Sequence, residues 1–544
     1  MTSSLNDSVA DVVQALKSRG FLSPQRTDEG WVTLRGALNA GGNAHPCFFS
    51  FDTNFIELPR VRLLEVPESL KPVAEHINST GSLCYIAHGT IALNIFDPVG
   101  QTLACLERAE YVLGKILAGE LVDDLEDEFF AYWNNGTFCV YDIGQENASN
   151  LQAFDIGIPG NVSTMLTDNV ARTKKKLELS GVRFNLSEIP VYRINTKVRP
   201  RPRTDAWPPE EVKDILTWQG RLDTECKKKI EKKVLEAAKT SASIALFIIE
   251  SPDFTYAFSV TLSSPDERKR KRLPTDKTTI YPLKVTPQQI VRIDNKYITK
   301  RNIPNKLTLA DKKIAVIGCG TIGGYLTELL TKMGAGSGKG ELVLVDNDIL
   351  WPQNIGRHRL GVASLFQNKA TALLIEMHVL MPGMNILARA HKVQDVDLRG
   401  MDLVIDATGE EAVGHWLTLK LPADKPLLTV WIEGNGAAVR ALLRPQEGCA
   451  CYRCIAEYEN RGEMKSTEEP LNPVLAGQGC ESLYVPFPAF VSSNAANLGA
   501  EMVLDWVNGE TDKLFRTRIT NSKFTLKTPD CSPSIHSECP ICIT

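Results

Sequence analysis

Lys313-Ile314-Ala315-Val316-Ile317-Gly318-Cys319-Gly320-Thr321-Ile322-Gly323 is the stretch on which the reading of this chain turns. Its apolar start reads as a buried strand. Glycines follow where the backbone must turn tightly and lie close to a phosphate, and Tyr325, Leu326, Leu329 and Leu330 then continue at helical spacing. A helix that starts at such a turn offers unpaired N–H groups to an anion. A second apolar run, Leu342 to Val345, ends at Asp346, where a carboxylate commonly meets a ribose hydroxyl. Taken alone, the stretch predicts a nucleotide-binding strand, turn and helix, and an NAD-dependent oxidoreductase would fit it.

The residues that follow favour a triphosphate. Asn354, Arg357 and Lys369 supply an amide and two cations in order, and the strand Leu403-Val404-Ile405 ends in Asp406, a carboxylate of the kind that holds magnesium. From about residue 300 onward the chain resembles the ubiquitin-activating superfamily, which includes bacterial adenylyltransferases for sulfur-carrier proteins. The resemblance implies an α/β Rossmann-like adenylation domain over 296–544 that uses ATP and Mg2+. It places Gly318, Gly320 and Gly323 at the nucleotide, Asp346 on the ribose, Asn354, Arg357 and Lys369 on the phosphates and Asp406 on the metal. Arg301 stands where the superfamily has an arginine supplied across a dimer interface, though by itself it reads first as a solvated surface group.

With 544 residues, 43% of them hydrophobic and 23% charged, the chain has length for two to four domains. A formal net charge of −4 gives no overall reason to expect nucleic-acid binding, and the basic run Arg268 to Arg272 reads as an exposed loop. No basic start with an apolar core follows Met1, and the apolar stretch Ile244 to Ile249 is too short for a bilayer, so a cytoplasmic, membrane-free protein is expected. Thirteen cysteines without a secretion signal point to free thiols, metal ligands and nucleophiles.

At the N-terminus, Val9, Val12, Val13 and Leu16 outline an amphipathic helix closed by Gly20. Trp31 to Leu34, Cys47 to Phe51 and Val61 to Leu64 then read as antiparallel strands. His76-Ile77-Asn78-Ser79-Thr80-Gly81-Ser82-Leu83-Cys84-Tyr85 comes next, and after it a helical pattern from Leu103 to Leu117. The decapeptide resembles the active-site segment of ubiquitin-conjugating enzymes, and the element order over 1–125 is similar to their α+β fold. That resemblance implies a thioester on Cys84. The family's His-Pro-Asn triplet is replaced here by Glu75 and His76, with His76 where the asparagine would steady an oxyanion. An imidazole N–H could do the same, and a structural histidine is the other reading.

Residues 126–295 carry no motif that specifies chemistry and read as an intermediate α/β linker domain, with an exposed Pro/Arg passage from Val198 to Arg203. Two pairs, Cys451-x-x-Cys454 and Cys539-x-x-Cys542, together supply the four thiolates of a structural zinc site, with Cys449 and Cys531 nearby. Cys480 lies instead in Ala476-Gly477-Gln478-Gly479-Cys480-Glu481, ahead of a helical pattern from Ser493. Related activating enzymes take the acyl group from the adenylate on a cysteine so placed, and the helix start would favour its thiolate.

The order, conjugating-like domain first and activating domain last, resembles the ubiquitin-transferase-like proteins of bacterial CBASS anti-phage systems. The resemblance implies a homodimer that activates the C-terminus of a cGAS-like nucleotidyltransferase, passes it from Cys480 to Cys84, and joins it to an amine, with Arg357 offsetting charge in the first step. A similar enzyme for another ubiquitin-like modifier, a sulfur-carrier adenylyltransferase and a non-catalytic nucleotide-binding scaffold remain as alternatives.

Overall fold

The computed structural model describes residues 2–78, 80–87, 89–133, 136–144, 148, 150–158, 161–262, 277–472, 474–477 and 484–542. The basic run 268–272 and Cys480 lie outside the described residues. The chain forms two compact units, one of residues 1–140, 152–166 and 184–291, the other of 141–151, 167–183 and 292–544.

The first unit begins with helix Thr2–Ser18 and a five-stranded antiparallel meander, Leu22–Arg26, Trp31–Ala40, Asn43–Asp52, Arg60–Leu63 and Ser82–Leu83, paired in chain order. The strand period of two sends Cys47, Phe49 and Phe51 inward, and Val12 and Leu16 of the first helix join them in the core. Helix Pro98–Leu117 closes that core with Cys105, Leu106, Ala109, Val112, Leu113 and Ile116. Its start is set by Pro98 at the first helical position and by Asp97, whose carboxylate accepts the Gly100 N–H at 2.9 Å. The last strand is two residues long, and Cys84 follows it directly.

An eight-stranded sheet follows, ordered Val191–Asn195, Ile244–Glu250, Thr255–Thr261, Val285–Arg292, Phe138–Asp142, Asn161–Thr167, Gln152–Ile158, Arg183–Ile189. Helices Val212–Leu222 and Thr224–Ala238 line its core, where Trp133, Trp218 and Tyr256 pack ring to ring around Phe129. Val198 to Arg203 is irregular, and Arg199 pairs with Asp127 at 2.6 Å.

In the second unit, strands Ile386–Arg389, Glu341–Val345, Lys313–Ile317, Leu403–Asp406 and Leu427–Glu433 are parallel in that spatial order, and Ala438–Arg444 and Phe515–Ile519 add antiparallel at one edge. Ile314 to Ile317 and Leu342 to Val345 are buried throughout, as continuous apolar runs in a two-faced parallel sheet must be. Helices Thr321–Lys332, Lys369–Leu380, Glu411–Lys420 and Ala489–Asn508 cover it. Ligands of such sheets meet the carboxyl ends of the strands, which here are Ile317, Val345 and Asp406.

Candidate functional site

The glycine turn is as tight as its sequence requires. Gly318 has φ +84°, and a Cβ there would meet the Thr408 backbone at 2.8 Å. A Cβ on Gly323 would come within 1.8 Å of the Gly318 carbonyl oxygen. Gly320 is the N-cap of helix Thr321–Lys332, whose first turn holds no acidic residue and no side-chain cap, which leaves its leading amides to an anion. His358 braces the turn from behind: its Nε2 lies 2.9 Å from the Cys319 carbonyl and its Nδ1 accepts the Leu360 N–H at 3.0 Å. Burial pushes its pKa down to about 4, so the imidazole is neutral and donates through Nε2.

Two cavities meet at Thr408. One, of about 470 Å³, is lined by Gly318, Gly320, Asp346, Asp348, Lys369 and Lys392 among others. The other, of about 590 Å³, is lined by Thr321, Arg357, Gly409, Glu433, Leu471 and Phe487 among others. Asp346 accepts the Cys319 and Asp348 N–H groups at 2.7 and 2.8 Å, which fixes its carboxylate at the strand end, while burial raises its pKa. Lys369 pairs with Asp348. Arg357 donates to the Val485 carbonyl at 2.8 Å and lies 4.5 Å from the Phe487 ring centre, and among the described residues no carboxylate pairs with it.

Two expected residues are placed differently. Asn354 lines neither cavity, and its Oδ1 accepts the Trp351 N–H at 2.9 Å. Asp406 is 2% exposed beneath Thr408, whose N–H and Oγ1 both donate to Asp406 Oδ1 at 3.1 and 2.7 Å. Burial without a cation lifts its pKa to about 6. Oδ2 lies 3.1 Å from where a Cβ on Gly414 would stand, and Asp406, like Asn354, lines neither cavity. Arg301 ends helix Asn295–Arg301 and is exposed.

The four cysteines Cys451, Cys454, Cys539 and Cys542 converge with all sulfurs within 4.8 Å of one another. Tetrahedral zinc with bonds of about 2.3 Å sets sulfurs roughly 3.8 Å apart. The observed separations are 3.8 Å for Cys451 and Cys454, 3.6 Å for Cys451 and Cys539, and 3.8 Å for Cys454 and Cys542. Cys449 lines a different cavity and Cys531 pairs its backbone with Phe515, so neither is in the cluster.

In the first unit Cys84 is exposed at the edge of a cavity of about 750 Å³ that also includes Ile86, Ile91, Tyr111, Asp124 and Glu128. Partial burial and the Glu128 charge raise its thiol pKa. The Cys84 N–H donates to the His76 carbonyl at 2.7 Å. His76 has φ +58°, and its own N–H donates to Glu128 Oε2 at 2.9 Å. Its ring Nε2 is 3.1 Å from Asp124 Oδ2, and its buried Nδ1 is in ion-pair contact with Glu128 Oε1 at 2.5 Å, outside hydrogen-bond alignment. Glu128 first, and Asp124 with it, raise the imidazole pKa to about 9 against partial burial, so His76 is a cation at neutral pH. The sequence reading passed over both carboxylates. They lie in the acidic run Asp123 to Glu128, which by itself looks like a solvated turn.

A nucleotide cradle at the carboxyl end of a parallel sheet, a thiol-bearing conjugating-type domain and a four-cysteine cluster together define an adenylating enzyme fused to a conjugating module. Sequence comparison agrees at both ends: residues 298–541 match the ThiF family and residues 12–137 match Prokaryotic E2 family B. The chain is 48% identical to an ATP-dependent ubiquitin transferase-like protein Cap2 of Pseudomonas aeruginosa over 98% of each chain. It is 26% identical to the Cap2 of Escherichia coli, over 97% of this chain and 96% of that one. The Cap2 of Vibrio cholerae is 28% identical over 83% of each. The chain belongs to the Cap2 family of ATP-dependent ubiquitin transferase-like proteins, and it is an enzyme of that class. Among the described residues no helix is long and apolar enough to cross a membrane.

Proposed function

We propose that the enzyme activates the C-terminal carboxylate of a partner protein with ATP and relays it through two thiols to an amine. The observation that carries this reading is similarity along 98% of the chain to a Cap2 protein, which spans the nucleotide cradle and Cys84 alike. A carboxylate oxygen of the partner attacks the α-phosphorus of ATP, the bond to the β-phosphate oxygen breaks, and pyrophosphate leaves. The Thr321 helix start, Arg357 and Lys369 face the charge that develops, Asp346 takes the ribose, and Asn354 holds the loop that carries Arg357. Asp406 is the residue that would hold magnesium, which would supply charge neutralisation on the phosphate oxygens when bound. Zinc at the four cysteines is structural, and it ties the segment at 539–542 to the segment at 451–454.

Cys480 as thiolate then attacks the acyl carbon and AMP leaves with the bonding electrons. Cys84 displaces the Cys480 sulfur in turn, and an acceptor amine finally displaces Cys84, losing one proton as the amide forms. The partner is a cGAS-like nucleotidyltransferase, the setting is CBASS anti-phage defence in the cytoplasm, and the enzyme works as a homodimer through its activating domain, with Arg301 at that interface.

Non-reducing gels of the enzyme with ATP and the partner protein test the relay. Wild type should form adducts on both thiols, Cys84→Ala should keep only the Cys480 adduct, and Cys480→Ala should lose both. Joining of the partner to an amine by the double variant would overturn the reading.

A further inference from the structure

The carboxylates around His76 sit where no nucleotide or metal chemistry needs them. His76 occupies a left-handed backbone conformation, uncommon for a residue with a side chain although histidine is among those enriched there. Its carbonyl accepts the N–H of Cys84 at 2.7 Å, so the orientation of the thiol-bearing residue depends on that peptide. What holds the peptide is a set of contacts from the segment after helix Pro98–Leu117. Glu128 takes the His76 backbone N–H, both carboxylates flank the ring, and Tyr132 donates to the Ala74 carbonyl at 2.6 Å and to Glu128 at 3.2 Å. The ring itself has no free donor to aim at an acyl oxygen: Nδ1 is buried against Glu128 and Nε2 is turned to Asp124.

We propose that His76 serves Cys84 through its backbone, and that Glu128 and Asp124 are the positioning residues that clamp it there for the thioester step. This rests on the reading of Cys84 as the thiol that holds the acyl group. The clamp replaces an oxyanion role for the imidazole with a geometric one. A charged pair of contacts on one side chain fixes the loop that a two-residue strand cannot fix by ladder hydrogen bonds.

The test uses the full chain loaded on Cys84 with a short synthetic peptide supplied as a C-terminal mercaptoethanesulfonate thioester, then discharged with hydroxylamine in single turnover. Glu128→Ala and His76→Gly should each slow discharge about tenfold or more, the range in which misplacement of a reacting group is felt. Glu128→Gln, which keeps an acceptor for the His76 N–H, should fall between wild type and Glu128→Ala. The double variant His76→Gly with Glu128→Ala should be no slower than either single change, because the two act as one unit. If Glu128→Ala does not fold, Glu128→Gln and Asp124→Asn carry the same test.

The pH profile separates the clamp from a merely structural carboxylate. The groups that face His76 are Glu128, Asp124, Tyr132, Cys84 and, across the cavity, Arg108 and Lys115. Cys84 is esterified in the assay, the Glu128 pKa is held down by His76 against the opposing effect of burial, and Tyr132 and Lys115 are shifted upward, away from neutrality. Discharge should therefore weaken as pH rises through about 9, where His76 loses its proton, and Glu128→Gln should move that fall to lower pH. Unchanged discharge in Glu128→Ala, additive losses in the double variant, or a faster Glu128→Ala enzyme would overturn the proposal, the last by showing that the freed imidazole is a donor. Failure of wild-type Cys84 to accept the peptide at all would overturn the reading of Cys84, and the clamp with it.

Discussion

His76 and Asp406 both have pKa values above their ordinary ones, about 9 and about 6, and the two shifts mean opposite things. At His76 two carboxylates touch the ring, so the charged form is the stabilised one. At Asp406 a carboxylate is buried with hydroxyl and amide donors on one oxygen only, so its charged form is the strained one. The His76 charge is thus met by partners, whereas among the described residues no ion pair meets the Asp406 charge. The difference follows from the scaffold. Asp406 ends a buried strand of a parallel sheet, which can hold a carboxylate in place without neutralising it. His76 stands outside any full strand, beside the isolated bridges of Ile77 to Ala74 and to Leu83, and side-chain ion pairs add to those few backbone bonds.

That contrast breaks most visibly at Gly323. A methyl group there would lie 1.8 Å from the Gly318 oxygen, and no rotamer relieves a backbone clash. Gly323→Ala should open the turn, lower ATP-dependent pyrophosphate exchange at least ~100-fold and cost about 1–3 kcal/mol in stability. Discharge of preloaded Cys84 should not change in the same variant. Equal loss at both would mean that the two sites are not independent constructions.

The turn was legible because its chemistry is local: glycines, strand and helix stand within eleven residues of one another, from Lys313 to Gly323. The grouping of the four cysteines was legible for the same reason, since each pair is a single CxxC and the fold has only to bring the two pairs together. Glu128 was not, because it is 52 residues from His76 and nothing in an acidic run says which carboxylate turns inward. The strand end at Asp406 could be read, but its burial depends on Thr408 folding over it, which is a tertiary fact. Asn354 shows the converse, a polar residue in the expected order whose side chain caps its own loop.

The cysteine cluster sharpens the comparison, because it is a second place in that unit where ionisable side chains are brought together. Cys539→Ser should lower bound zinc, measured by metal analysis of the purified protein, and cost about 3 kcal/mol or more, as loss of a structural metal does. Cys449→Ser should leave zinc content unchanged and cost under ~1 kcal/mol, because its sulfur is not among the four that converge.

Asp406 gives the smallest shift and the most direct one. Its folded pKa of about 6 lies above the ordinary 3.8, so the folded state binds the proton more tightly than the unfolded chain does. The cost of the buried charge is therefore present in full above about pH 6 and is relieved as pH falls from there toward 3.8. A neutral isostere escapes it: Asp406→Asn should melt higher than wild type at pH 7, by an amount on the order of 2 kcal/mol, while pyrophosphate exchange falls. Magnesium with a non-hydrolysable ATP analogue should then raise the melting of wild type more than that of Asp406→Asn. On the proposed reading the cation would be bound by Asp406, and the variant no longer carries that charge. If the two proteins melt together at pH 7 and respond equally to magnesium, Asp406 is an ordinary buried carboxylate and its resemblance to a metal ligand ends with its place in the strand.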